Sequence, residues 1–126
     1  MQRWHLLFLL GALGVFEAHA LGASGTIAAS PNPCVVPAGA STCTSYITWS
    51  TQGVTHARVY VVDSHKKGKE EQEFGTHLSC VGEKCRASWI EKGNNYVFTL
   101  YDYSSGNRGS ALGSVTVTGQ AGGAHK

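Results

Sequence analysis

The residues of this chain best equipped for chemistry are four cysteines, Cys34, Cys43, Cys80 and Cys85. As thiolates they would be nucleophiles or metal ligands, whereas in an oxidising compartment they pair with one another. Four cysteines allow three connectivities, and their grouping in two close pairs favours Cys34–Cys43 with Cys80–Cys85. In the chain-entropy picture each such short loop stabilises the fold by roughly 2–3 kcal/mol. Zinc is the competing chemistry, because Cys80 and Cys85 flank a four-residue spacer and His77 lies nearby. Export from the cytoplasm favours the disulfides.

The other reactive residues do not form a catalytic set. General acid–base work needs two titratable groups held in different environments across a reacting bond. Apart from the glutamates of one charged stretch, the acids beyond the leader are Asp63, Glu83, Glu91 and Asp102, and none belongs to a motif. No Gly-x-Ser-x-Gly elbow is present. His56, His65, His77 and His125 are scattered, with no pair at the spacing that puts two metal ligands on one face of a strand or helix. The residues therefore point away from an enzyme, and no cofactor or metal is expected.

The N-terminus states an address. Arg3, an apolar run over residues 6–16 and then Ala18-His19-Ala20 follow the charged, apolar and small-residue zones of a secretory signal peptide, with cleavage after Ala20. The apolar run is about half of the ~20 residues needed to cross a bilayer, so neither a membrane span nor membrane insertion is expected. The expected division is a signal peptide over 1–20, one domain over 21–119 and a flexible glycine-rich tail over 120–126. A secreted or periplasmic location follows. Arg3 and Glu17 leave with the leader, so the formal net charge stays at +2. That balance is too small to draw the protein to nucleic acid or an anionic membrane. Lys66, Lys67 and Lys69 are followed at once by Glu70, Glu71 and Glu73, which cancel their field within a Debye length.

The elements that must position these residues are short strands. Glycine is abundant at 16 copies and charged residues make up only 14%, a composition of strands joined by tight turns. A strand-like run over residues 25–29 stops at Pro31-Asn32-Pro33, and Val35-Val36 resume it. In residues 43–50, Cys43, Ile47 and Trp49 alternate with Thr44, Tyr46 and Thr48, placing Trp49 in the core. Ala57, Val59 and Val61 alternate with Arg58, Tyr60 and Val62. Residues 63–73 contain nothing apolar to bury and read as a solvated loop or hairpin tip. Short strands are expected over 74–80 and 86–90, with either Trp89 or Ile90 facing the core but not both in a regular pleat. Residues 96–103 read as a central strand, with Tyr96, Phe98 and Leu100 opposite Val97, Thr99, Tyr101 and Tyr103. Residues 104–107 are turn material, residues 111–118 close the domain with Val115 and Val117 inward, and the chain from Gly119 onward is expected to fray.

About seven short strands in roughly one hundred residues is the pattern of an all-β, Greek-key sandwich of immunoglobulin type. If the strands through Tyr60 and Tyr101 are neighbours, then Tyr60, Tyr101 and Tyr103 project from one face beside Arg58. Such a face is suited to stacking on a sugar or anchoring a protein. The plainer reading is a cross-strand aromatic pair that stabilises a solvated sheet by roughly 0.2–1 kcal/mol.

The string Pro31-Asn32-Pro33-Cys34, then Cys43, Ile47-Thr48-Trp49-Ser50, Val59-Tyr60-Val61 and Ser88-Trp89-Ile90, followed by Gly93, Tyr96, Phe98, Leu100 and Tyr101, resembles the immunoglobulin-like or fibronectin type III-like modules of secreted bacterial proteins. The resemblance spans roughly residues 25–119. It implies a non-catalytic sandwich, with Tyr96 as a corner tyrosine whose hydroxyl ties back to the backbone. Residues 96–103 hold no cysteine, so the inter-sheet disulfide of antibody domains has no counterpart at that strand. The expected function is binding, of a protein partner or a cell-surface glycan. A carbohydrate-binding accessory domain and a passive structural or assembly component are the alternatives, the last acting through strand edges.

Overall fold

A computed structural model describes residues 22–65 and 70–122. The expected signal peptide, Lys66, Lys67 and Lys69, and His125 lie outside the described residues. The described residues form eight strands: β1 Ser24–Ser30, β2 Cys34–Val36, β3 Thr42–Gln52, β4 Ala57–Asp63, β5 Glu71–Gly75, β6 Arg86–Glu91, β7 Asn95–Asp102 and β8 Ala111–Ala121. One short 3-10 turn, Glu83–Cys85, precedes β6. The protein is all-β. A three-stranded sheet in the order β1-β3-β6 faces a five-stranded sheet in the order β2-β8-β7-β4-β5.

Alternation builds both layers. In β4, Ala57, Val59 and Val61 are buried while Arg58 and Tyr60 face outward. In β7, Tyr96, Phe98 and Leu100 are buried in the same way. Ile47 and Trp49 of β3 and Val117 of β8 complete the centre of the core. Trp49 is buried as its alternation required, and its indole N–H donates to the His77 carbonyl at 2.9 Å. That bond satisfies the one polar atom the ring carries inward.

The prolines act at the crossing between layers. β1 ends at Pro31-Asn32-Pro33 and the chain passes to the other sheet, where β2 pairs in parallel with β8. Asn32 docks the crossing onto β8, donating to the Thr116 carbonyl at 2.9 Å and accepting from the Thr118 N–H at 3.3 Å. Val35 and Val36 therefore do not resume β1; they belong to the opposite layer. In consequence the Cys34–Cys43 disulfide joins β2 of one sheet to β3 of the other, with Cα atoms 6.1 Å apart. The Cys80–Cys85 disulfide closes the loop before β6, with Cα atoms 6.0 Å apart. The two pairs are those favoured by spacing. Cys80 and Cys85 are thus bound to each other, and the His77 carbonyl serves Trp49.

Three further expectations are corrected. Residues 71–73 are not loop: they form β5 with Phe74 and Gly75, antiparallel to β4. Their polarity suits an edge strand, whose free side faces water. The strand expected over 74–80 therefore ends at Gly75, and Cys80 makes only an isolated bridge to Trp49. β8 continues to Ala121, because Gly119, Gln120 and Ala121 pair with β2. The conflict between Trp89 and Ile90 is resolved by a bulge: Cys43 pairs Ile90 and Ser45 pairs Ala87, so three steps of β6 oppose two of β3. Ile90 is fully buried, and Trp89 swings to the sandwich edge at 40% exposure. The Tyr96 hydroxyl ties back to the backbone, accepting the Glu91 N–H at 3.0 Å, five residues upstream.

Candidate functional site

β4 and β7 are neighbours in the five-stranded sheet, with Arg58 opposite Tyr101 and Tyr60 opposite Thr99. Because the even residues of β4 and the odd residues of β7 face outward, Arg58, Tyr60 and Tyr101 emerge on one surface. Tyr103 follows the end of β7, where its N–H donates to the His56 carbonyl at 2.8 Å. Its ring turns back onto the same surface beside Tyr60. The centroids of Tyr60 and Tyr101 are 6.1 Å apart, edge to face, and those of Tyr60 and Tyr103 are 6.2 Å apart, nearly parallel. The Tyr103 hydroxyl donates to that of Tyr60 at 3.3 Å.

All four residues singled out for the face are therefore brought together, with one difference. Tyr103 is only 9% exposed and acts as the floor of the cluster. Tyr60 and Tyr101 remain half-buried at its surface.

A fifth residue completes the cluster. The loop from β7 to β8 folds tightly on itself: Gly109 donates to the Asp102 carbonyl at 2.7 Å, and Asp102 donates to that of Ser110 at 3.0 Å. A Cβ at position 109 would stand 2.7 Å from that Asp102 oxygen, so the approach requires glycine. The fold-back lays Arg108 over the sheet, with its guanidinium 4.2 Å from the Tyr101 centroid and 4.7 Å from that of Tyr60. Arg58 covers Tyr103 at 4.5 Å. Each ring thus carries a cation within reach of its quadrupole. Arg108 was not foreseen, since a turn residue in sequence shows no sign of where its loop will fold.

Two carboxylates of β5 hold the cations in place. Arg108 pairs with Glu71 at 2.7 Å and Arg58 with Glu73 at 3.6 Å. β5 carries both glutamates to the arginines of the outer face. The Arg108 pKa is raised, first by Glu71 and then by Tyr103. The Arg58 pKa is raised as well, chiefly by the nearby Tyr60 hydroxyl. The Tyr60 hydroxyl is held below its ordinary value, first by the hydrogen bond from Tyr103 and then by Arg58. At the rim, hydrogen bonds from Ser104 keep the Asp102 carboxyl below the usual range.

This arrangement offers tyrosine edges, hydroxyls and guanidinium N–H groups on a firm surface. It has no nucleophile beside a base. Among the described residues, no three His, Cys, Asp or Glu side chains gather to hold a metal ion, and no helix is long and apolar enough to cross a membrane. Compared with protein-family models, curated proteins and solved structures, the chain matches none.

Proposed function

We propose that this protein is an exported, non-catalytic interaction module with an immunoglobulin-like Greek-key sandwich, which docks a protein partner through the outer face of its five-stranded sheet. Supporting the fold reading are the three-plus-five strand order and the Tyr96 hydroxyl tied back to Glu91. Two disulfides and the leader-like pattern of residues 1–20 support export. The observation that carries the functional reading is the stack of Arg58, Tyr103, Tyr60, Arg108 and Tyr101. Tyrosine and arginine dominate the energetics of protein interfaces, because both present large contact area with polar groups at the tip. A sugar would need a free ring face to stack on, and here each ring already faces a guanidinium. That favours a protein partner over a glycan on this surface.

The test compares wild type with Tyr60→Ala, Tyr101→Ala and Arg108→Ala, each immobilised and offered the surface and secreted proteins of the source cell. In parallel, each is applied to a glycan array. A protein retained by wild type and lost from all three variants is the expected result. Binding that is equal for the variants and wild type refutes the docking face, and glycan binding that depends on Tyr60 and Tyr101 replaces it with the carbohydrate reading.

A further inference from the structure

A second concave surface lies on the opposite side of β5. Glu71 and Glu73 face outward with Tyr60, whereas Gln72 pairs with Val61, whose side chain points between the sheets. There, at the open edge between β5 and β6, a cavity of about 270 Å³ is lined by Val61, Asp63, Glu70, Trp89, Glu91 and Tyr96. It shares no residue with the tyrosine–arginine stack.

Trp89 forms its apolar wall. The β6 bulge sends this indole to the sandwich edge, where it lies nearly parallel to buried Phe98 at 6.1 Å and meets Tyr96 edge to face at 5.4 Å. The indole is therefore held firmly from within while 40% of the residue stays open. No cation covers it among the described residues, unlike the three tyrosines of the outer face. The polar wall is carboxylate. Asp63 and Glu91 are steadied by the Asn94 amide at 3.4 Å each, and Glu70 completes the set. Among the described residues, none of these three acids makes a salt bridge, while Glu71, Glu73 and Glu83 each pair with an arginine.

A fixed aromatic face beside three carboxylates that no described cation pairs is complementary to one class of ligand, a cation with an apolar stem. We propose that this cavity receives an alkylammonium or guanidinium group, of the size carried by a lysine or arginine side chain. The indole face attracts the charge through its quadrupole and covers the stem. Glu91, Asp63 and Glu70 supply the opposite charge. The cavity volume suits a head group and a few methylenes rather than a large molecule.

The experiment uses the secreted chain labelled with nitrogen-15 and follows the indole N–H signals of Trp89 and Trp49 during titration with N-acetyl-lysine amide. Choline and N-acetyl-norleucine amide are the other arms, the first a free quaternary ammonium and the second the uncharged counterpart of lysine. The expected result is a saturable shift of Trp89 with Trp49 unmoved. It should weaken roughly fivefold in Glu91→Gln and again at about 0.5 M salt. Asp63→Asn serves as a second variant, and the unchanged Trp49 signal shows that either variant is folded. A stronger response to choline than to the lysine amide assigns the cation to a small quaternary ammonium. An equal response to norleucine amide, no saturable Trp89 shift, or no loss in both acid variants overturns the proposal.

Discussion

Tyr60 shows how far one side chain's chemistry is set by its neighbours. Its hydroxyl accepts from Tyr103 and lies near Arg58, and both favour the phenolate, so its pKa falls below the ordinary value of about 10. A group whose folded pKa is depressed contributes stability above its unfolded pKa and loses it as pH falls through the folded one. The contribution therefore grows as the solution becomes alkaline and is lost as the pH falls through the depressed value. Ultraviolet titration of tyrosinate is expected to show an early edge that vanishes in Tyr60→Phe and moves upward in Arg58→Ala. An early edge that persists unchanged in Tyr60→Phe contradicts this account. The tyrosines themselves were visible from sequence as outward positions, because side-chain parity along a strand is local. Their cations were only half visible: Arg58 shares the strand, but Arg108 reaches the cluster through a loop.

β5 is the element whose role differs most from its sequence. It contains three charged or polar residues and then Phe74 and Gly75, and no alternation of apolar residues marks it as a strand. Pairing to β4 makes it one, and its two faces then do separate work, outward to the arginines and inward to the Trp89 cavity. Its last residue meets the core directly. A Cβ on Gly75 would stand 2.6 and 2.8 Å from two carbons of the Trp49 ring, which is buried and fixed by its bond to His77. Gly75→Ala is expected to destabilise the protein by roughly 1–3 kcal/mol, the usual cost of overpacking. Gly113→Ala is the control, because the nearest atom there is 3.4 Å away, an ordinary contact. Urea unfolding of both variants checks the difference, and equal midpoints would show that β5 yields. β6 carries the same lesson, since only its register against β3 reveals the bulge that admits Ile90 to the core and Trp89 to the edge.

At the scale of the whole molecule, the two disulfides differ in what they join. Cys34–Cys43 ties one sheet to the other, whereas Cys80–Cys85 closes a loop beside β6. Their sequence separations of 9 and 5 give similar chain-entropy terms, roughly 2–3 kcal/mol each. Replacing Cys34 and Cys43 together by serine is expected to cost more than the same change at Cys80 and Cys85, because each change leaves a hydroxyl at a fully buried position, 34 or 85, but only the first also frees one sheet from the other. Thermal melts of both double variants measure this, and a larger loss for the second pair would show that the inter-layer link is not the stronger support. By itself the sequence determined the all-β class, the pairing of neighbouring cysteines, the burial of Trp49, Phe98 and Leu100, and the outward direction of Tyr60 and Tyr101. These follow from alternation, spacing and composition, which act between residues close in the chain. Only the tertiary structure decided which layer β2 joins, that a run of charges becomes β5, where Arg108 lies, and that Trp89 walls a cavity. Those outcomes depend on contacts between segments tens of residues apart, whose relative free energies no local pattern records.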